Sequence, residues 1–162
     1  VVQLPLGTVI DLGGGATATC VVVNGDVIGA GAVPGALNNE NDRSLGLLIQ
    51  MGNFDFLVAG DLGGGDDDGA CTGRSTSQVN VETTLAQAIM PGGANPLLSA
   101  DGVEFHHVNH HGSESSTNSD LMNLLTPSVA AISVGSGQGG TWHHPRMDVV
   151  EQVLHAQASC KE

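Results

Sequence analysis

A chain of 162 residues, 40% of them hydrophobic, can bury the core of one domain, and 17 Asp and Glu against four Lys and Arg leave a formal charge of −13. That charge repels nucleic acid unless metal ions or another segment supply positive charge, which argues against a simple nucleic-acid-binding module. No apolar run reaches the roughly 18–20 residues that cross a bilayer, so no membrane segment is expected.

Composition refines this outline. The 24 glycines and the scarcity of aromatics (three Phe, one Trp, no Tyr) imply tight turns and thin packing layers. The chain begins without Met or a signal peptide, as expected of a processed product or an excised piece. Cys20, Cys71 and Cys160 show no C-x-x-C spacing, so a zinc-thiolate site is not expected. One disulfide with a leftover thiol and three buried thiols both stay open. An acidic, Lys-poor chain leans toward a secreted protein, in which Cys20 and Cys71 are the expected pair and Cys160, in the tail, the free thiol.

The predicted elements begin with a hairpin over 17–28, where Asn24-Gly25 separates two β-branched runs. Residues 29–44 read as a loop. Leu45 to Met51 and Phe54 to Ala59 form a second strand pair about Gly52-Asn53, with Phe54, Phe56 and Val58 on one face. Gly60-Asp61 ends that strand and an acidic, Gly-rich loop follows over 62–79. Asp66, Asp67 and Asp68 in this loop lack the alternating spacing of a calcium loop. A helix over 80–90 is capped by Asn80, with Val81, Leu85, Ala88 and Ile89 as its apolar stripe. Val103 to Asn109 reads as a strand leading into His110-His111-Gly112-Ser113, and a short helix over 119–125 ends before Pro127. Val129 to Val134 has the all-apolar character of a strand buried on both faces. The last helix is expected to start at Pro145 and to turn Met147, Val150, Val153 and Leu154 inward.

Six of the seven histidines lie between 106 and 144. Taken singly, each reads most simply as a surface or packing residue. Their positions argue otherwise for some: Asp61, His110, His111 and His144 each lie where a strand has just ended or a helix is about to begin, and ligand crevices collect such loops. Along an extended chain His110 and His111 point to opposite faces, so His111 is expected to face the site and His110 to point away from Asp61. His106 and His107 are expected in packing or surface roles. Imidazole with carboxylate, without thiolate, suits a catalytic zinc, manganese or iron. His144, next to the last helix's N-terminus, is placed to hold a phosphate oxygen.

Asn41-Asp42-Arg43-Ser44-Leu45, Phe56-Leu57-Val58-Ala59-Gly60-Asp61, Val108-Asn109-His110-His111-Gly112-Ser113 and Trp142-His143-His144-Pro145 follow one another in order. Together, over roughly residues 39–155, they resemble the hydrolase domain of ComEC-type competence DNA-channel proteins and their secreted relatives, within the metallo-β-lactamase superfamily. Cys71-Thr-Gly-Arg-Ser and Val81-Glu82-Thr83 resemble the secreted subgroup.

The resemblance implies an α/β (α+β) fold, the C-terminal half of an αββα sandwich, with a mixed sheet flanked by helices on one side. It implies a metal-dependent hydrolase, a phosphodiesterase or nuclease, that cleaves phosphodiesters by a metal-bound hydroxide with two Zn or Mn ions in the complete domain. Asp61 is then the bridging carboxylate, His111 the terminal ligand with His110 beside it, and His144 the residue at the scissile phosphate or leaving group. Ser113, Asn41 and Ser44 are expected on the substrate side, with a loop-to-strand cap as the alternative for Asn41 and Ser44. The superfamily's first metal signature, His-x-His-x-Asp-His, is absent, since no His precedes position 106. The expected partner is therefore the N-terminal half of the same fold, as a separate or cleaved chain, or a second copy, with a phosphodiester such as DNA as substrate. Hydrolysis of another ester, such as a phosphocholine or a lactam, and a non-catalytic interaction half-domain stay open beside this reading.

Overall fold

The computed structural model describes residues 4–37, 39–65, 78–135 and 143–154. The chain runs through β1 (Val9–Gly13), β2 (Ala16–Val23), β3 (Asp26–Val27), β4 (Gly31–Ala32), β5 (Gly46–Met51) and β6 (Phe54–Val58), then α1 (Glu82–Ile89). β7 (Phe105–His107), α2 (Ser119–Leu125), β8 (Val129–Ala131) and α3 (Met147–Val153) complete it. The strands form an eight-stranded mixed sheet in the order β4-β3-β2-β5-β6-β7-β8, with β1 also paired to β2. The result is the mixed α/β class expected, with α1 and α2 packed on one side of the sheet.

Local chemistry accounts for the elements. Val23 pairs with Asp26 across Asn24-Gly25, whose φ of +52° and +78° suit the two-residue turn that an Asn-Gly pair favours. Met51 pairs with Phe54 in the second hairpin. Asn80 caps α1 from just outside it, its Oδ1 accepting from Thr83 N at 3.1 Å. The stripe Val81, Leu85, Ala88 and Ile89 is buried as its spacing predicts. Asn118 caps α2 through Leu121 N at 2.9 Å.

Register sorts the sheet into two faces. Thr19, Leu48, Leu57, His106 and Ala130 stand in one row, and Leu48, Leu57 and His106 are fully buried. Leu48 and Leu57 join one core with Leu85, Ile89, Leu121 and Leu125 of the helices, each such side chain contributing roughly 1.5–3 kcal/mol by burial. One residue away, the opposite face carries Ile10, Ala18, Ile49, Phe56, Phe105 and Val129 in a continuous row. Phe56 and Phe105 meet edge to face there at 4.8 Å and keep part of their surface exposed; among the described residues no helix covers them, and Val129 is 52% exposed.

Four expectations need correction. Strand β1 has no counterpart among the predicted elements. Val129 to Val134 is not buried on both faces: only Val129–Ala131 is strand, and it forms the sheet's edge. The last helix starts at Met147 rather than Pro145, and it buries Asp148 and Val149 while Met147 and Leu154 are exposed. Cys20 is a free, buried thiol whose pKa burial pushes up, which removes the Cys20 end of the expected pair with Cys71. Cys71, Cys160 and the acidic residues Asp66 to Asp68 lie outside the described residues, as does Trp142. Among the described residues no helix is long and apolar enough to cross a membrane.

Candidate functional site

β6, β7 and β8 run parallel, so their carboxyl ends open on one rim of the sheet. β6 runs out into Gly60-Asp61, β7 into a turn at Asn109–Gly112, and β8 into the segment leading to Val134 and Gly135. His111, Val134, Gly135 and His144 line a pocket of about 270 Å³ at this rim. Asp61 reaches the same place: its Oδ1 lies 3.7 Å from His111 Nε2. The three residues expected to converge from distant parts of the chain do so.

Backbone contacts hold the rim together. Asp61 N donates to Ser44 Oγ at 3.2 Å, and His110 N donates to Gly60 O at 3.0 Å. Arg146 N donates to Gly112 O at 2.9 Å, and a Cβ on Gly112 would meet Pro145 Cβ at 2.7 Å. The loop bearing His111 and the segment bearing His144 therefore touch through main chain.

His110 does not point away from Asp61. The alternation rule assumes extended backbone, but His110 and His111 have φ of +49° and +56°, in the left-handed region. Such residues cost on the order of 1–3 kcal/mol each and persist only where surroundings impose them. The two rings consequently stay together at the rim, with centroids 6.4 Å apart, and the His110 ring lies 5.6 Å from that of His144, behind the pocket lining. His110 Nε2 lies 3.4 Å from Asn41 Nδ2, and His110 Nδ1 lies 3.0 Å from Gln78 Nε2. A neutral imidazole donates at one nitrogen and accepts at the other, so one of these amides meets it with oxygen. Burial pushes the His110 pKa down, opposed by the Asp61 carboxylate and reinforced by His144 and His111. Burial also lowers His144, opposed first by Glu114, and leaves its Nδ1 without a hydrogen-bond partner.

The protonation of His111 can be read from its partner. His111 Nδ1 lies 2.6 Å from Ser133 O, and a carbonyl oxygen only accepts, so the proton sits on Nδ1. In the neutral ring Nε2 then presents a lone pair to the Asp61 carboxylate. Two exposed acceptors facing each other at that distance can share a cation or a bridging donor between them. Zinc ligands bind at about 2.0–2.2 Å, which places two donors roughly 3.3 Å apart at a tetrahedral angle. The pair is close to that geometry, and the Ser133 carbonyl fixes the ring as supporting groups do for metal-bound histidines. Among the described residues no three His, Cys, Asp or Glu side chains converge closely enough to hold a metal ion. The donors among the described residues thus fit part of a centre.

The other expected residues fall into two groups. Asn41 and Ser44 reach the site, one at His110 and the other at the Asp61 backbone. Ser113 is buried, its Oγ 3.1 Å from Ser115 Oγ, and stands in the loop interior rather than in the pocket lining. His144 precedes α3 by more than one residue, outside the helix's first turn, so the expected helix-terminus contribution at this position does not apply. His106 is a core residue whose pKa burial pushes down to about 4, and His107 is half-buried on the open face beside Val58 and Ala131. Gln78, and Arg146 with Glu114 and Asp148 at 3.9 and 3.8 Å, were not legible as parts of the rim. Nothing in their local sequence separates them from ordinary loop and helix-end residues.

The fold and rim define a mixed α/β protein with a carboxylate and imidazoles gathered at the ends of parallel strands. No protein-family model matches the chain. Over 113 residues, 70% of its length, the chain is 27% identical to ComE operon protein 3 of Bacillus subtilis (strain 168), and the matched stretch spans 11% of that protein.

Proposed function

We propose that this chain is the C-terminal half of a metallo-β-lactamase-fold metallohydrolase that cleaves phosphodiesters. The observation that carries the reading is the facing pair of acceptors, Asp61 Oδ1 and His111 Nε2, with the ring proton held on Nδ1 by Ser133 O. The similarity to ComE operon protein 3 supports it. Asp61 and His111 would hold a divalent zinc or manganese ion, with His110 beside them. Such an ion supplies Lewis acidity and an activated water. His144, whose pKa burial pushes down, contacts the phosphate or the departing oxygen. Asn41 orients His110, and Ser44 holds the Asp61 backbone.

Catalytic zinc normally takes three protein ligands, so the remaining donors come from outside the described residues. The partly exposed row Ile49, Phe56, Phe105 and Val129 supports a partner that covers it: the N-terminal half of the same fold, or a second copy. A second substrate reading, a compact ester in place of DNA, is favoured by the charge of −13, and steep weakening of DNA binding with salt would count against it.

The test is zinc and manganese titration with hydrolysis of bis(p-nitrophenyl) phosphate, on this chain alone and with the N-terminal half added. Metal content and activity should rise together on addition. Asp61→Ala or His111→Ala should abolish one metal site, whereas His144→Ala should keep the metals and slow turnover. A protein that stays metal-free and inactive with its complementary half present would overturn the reading in favour of a non-catalytic domain.

A further inference from the structure

Glu82 lies at the start of α1, where a glutamate is ordinarily a solvated first-turn residue. Here it is fully buried. Its Oε1 accepts from Asn109 Nδ2 at 2.7 Å and from Thr117 N at 2.6 Å, and its Oε2 accepts from Asn118 N at 2.8 Å. Asn109 opens the loop that carries His110 and His111, while Thr117 and Asn118 close it. One carboxylate therefore ties both ends of the 109–118 loop to one point of the helix. The approach is tight: a Cβ on Gly64 would collide with Glu82 Oε2, and Gly64 N donates to Ser115 O at 2.8 Å in the same loop.

Three non-glycine residues of this loop, His110, His111 and Thr117, have positive φ of +49°, +56° and +55°. Backbone in that region relaxes unless neighbouring contacts impose it. The Glu82 contacts lie immediately before the two histidines and at Thr117 itself. We propose that Glu82 is the positioning residue of the site, holding His110 and His111 in the left-handed conformation that sets the His111 ring against Asp61 and the His110 ring beside His144. Glutamine cannot replace it. With three N–H donors converging on two oxygens, an amide would set its own NH2 against at least one of them.

The placement of the rings can be tested apart from the metal reading on which its significance rests. The imidazole Cε1–Hε1 NMR signals of the 162-residue chain, with chelator present, are compared between wild type and Glu82→Gln. His106, in the core under the helices, reports on the fold. The expected result is displacement or broadening of the His110 and His111 signals with the His106 signal unmoved. Ile89→Val, a mild core change away from the loop, should leave His110 and His111 in place. If Glu82→Gln does not fold, Asn109→Ala, which removes one hydrogen bond next to His110, gives the same readout. Unchanged His110 and His111 signals in whichever variant folds would overturn the proposal, as would equal displacement by Ile89→Val. In a second arm, zinc affinity should fall at least tenfold in Glu82→Gln with the complementary half present. If wild type binds no zinc, the metal reading fails while the ring signals still decide the role of Glu82.

Discussion

Leu57 and Phe56 are neighbours in β6, and alternation sends them to opposite faces of the same sheet. Leu57 is sealed beneath α1 and α2. Phe56, in an equally apolar row, keeps part of its surface in water. Both faces have the composition of an interior, but the described chain supplies helices for only one. Apolar character alone therefore does not say what is buried; it says what would gain by being buried. On the closed face that gain is realised within the chain, and on the open face it is left for association.

The largest expected effect tests the closed face. Leu57→Ala should cost about 3–4 kcal/mol in urea denaturation, within the range for fully buried leucines, and Phe56→Ala in the isolated chain about half that or less. Equal losses would mean that the open face is already covered in solution. The next effect is electrostatic. His106, held near pKa 4 when folded against 6.5 unfolded, folds best when neutral. Its contribution is fully present above pH 6.5 and is lost as pH falls toward 4, because the unfolded state then binds the extra proton. At about 1.4 kcal/mol per unit that amounts to about 3 kcal/mol, and His106→Leu should flatten the stability profile across this window. A profile as steep in the variant as in wild type would place the acid sensitivity elsewhere. The smallest effect belongs to the open face. Ile49→Lys should change stability by about 1 kcal/mol or less, yet sedimentation should show weaker self-association or weaker capture of the complementary half. Undiminished association would remove that face as the interface.

The same contrast explains what was legible in the residues. Asn24-Gly25 and the stripe of α1 are local signals, and local signals gave the hairpin, the strand pair and the helix. The convergence of Asp61, His111 and His144 was legible because strand ends in a parallel arrangement share a rim. The direction of His110 was not, since it depends on a left-handed backbone that no strand rule anticipates. Glu82 reads as an ordinary helix-start residue, and only the folded 109–118 loop reveals its role. The exposed edge at Val129 was hidden for a related reason: an apolar run looks the same whether or not a neighbouring layer exists.

The contact between Gly112 and Pro145 has one more consequence. Because the His111 and His144 walls touch through main chain, with Arg146 N bound to Gly112 O, the spacing of the two walls is a backbone dimension, and the side chains on them can adjust the pocket only within it. A group too wide for it cannot wedge the walls apart without breaking that hydrogen bond. Size selection at this rim should then behave as a threshold, admitting groups up to a limit and refusing larger ones abruptly, and a side chain at position 112, where φ is +79° and a Cβ would meet Pro145 at 2.7 Å, would shift that limit.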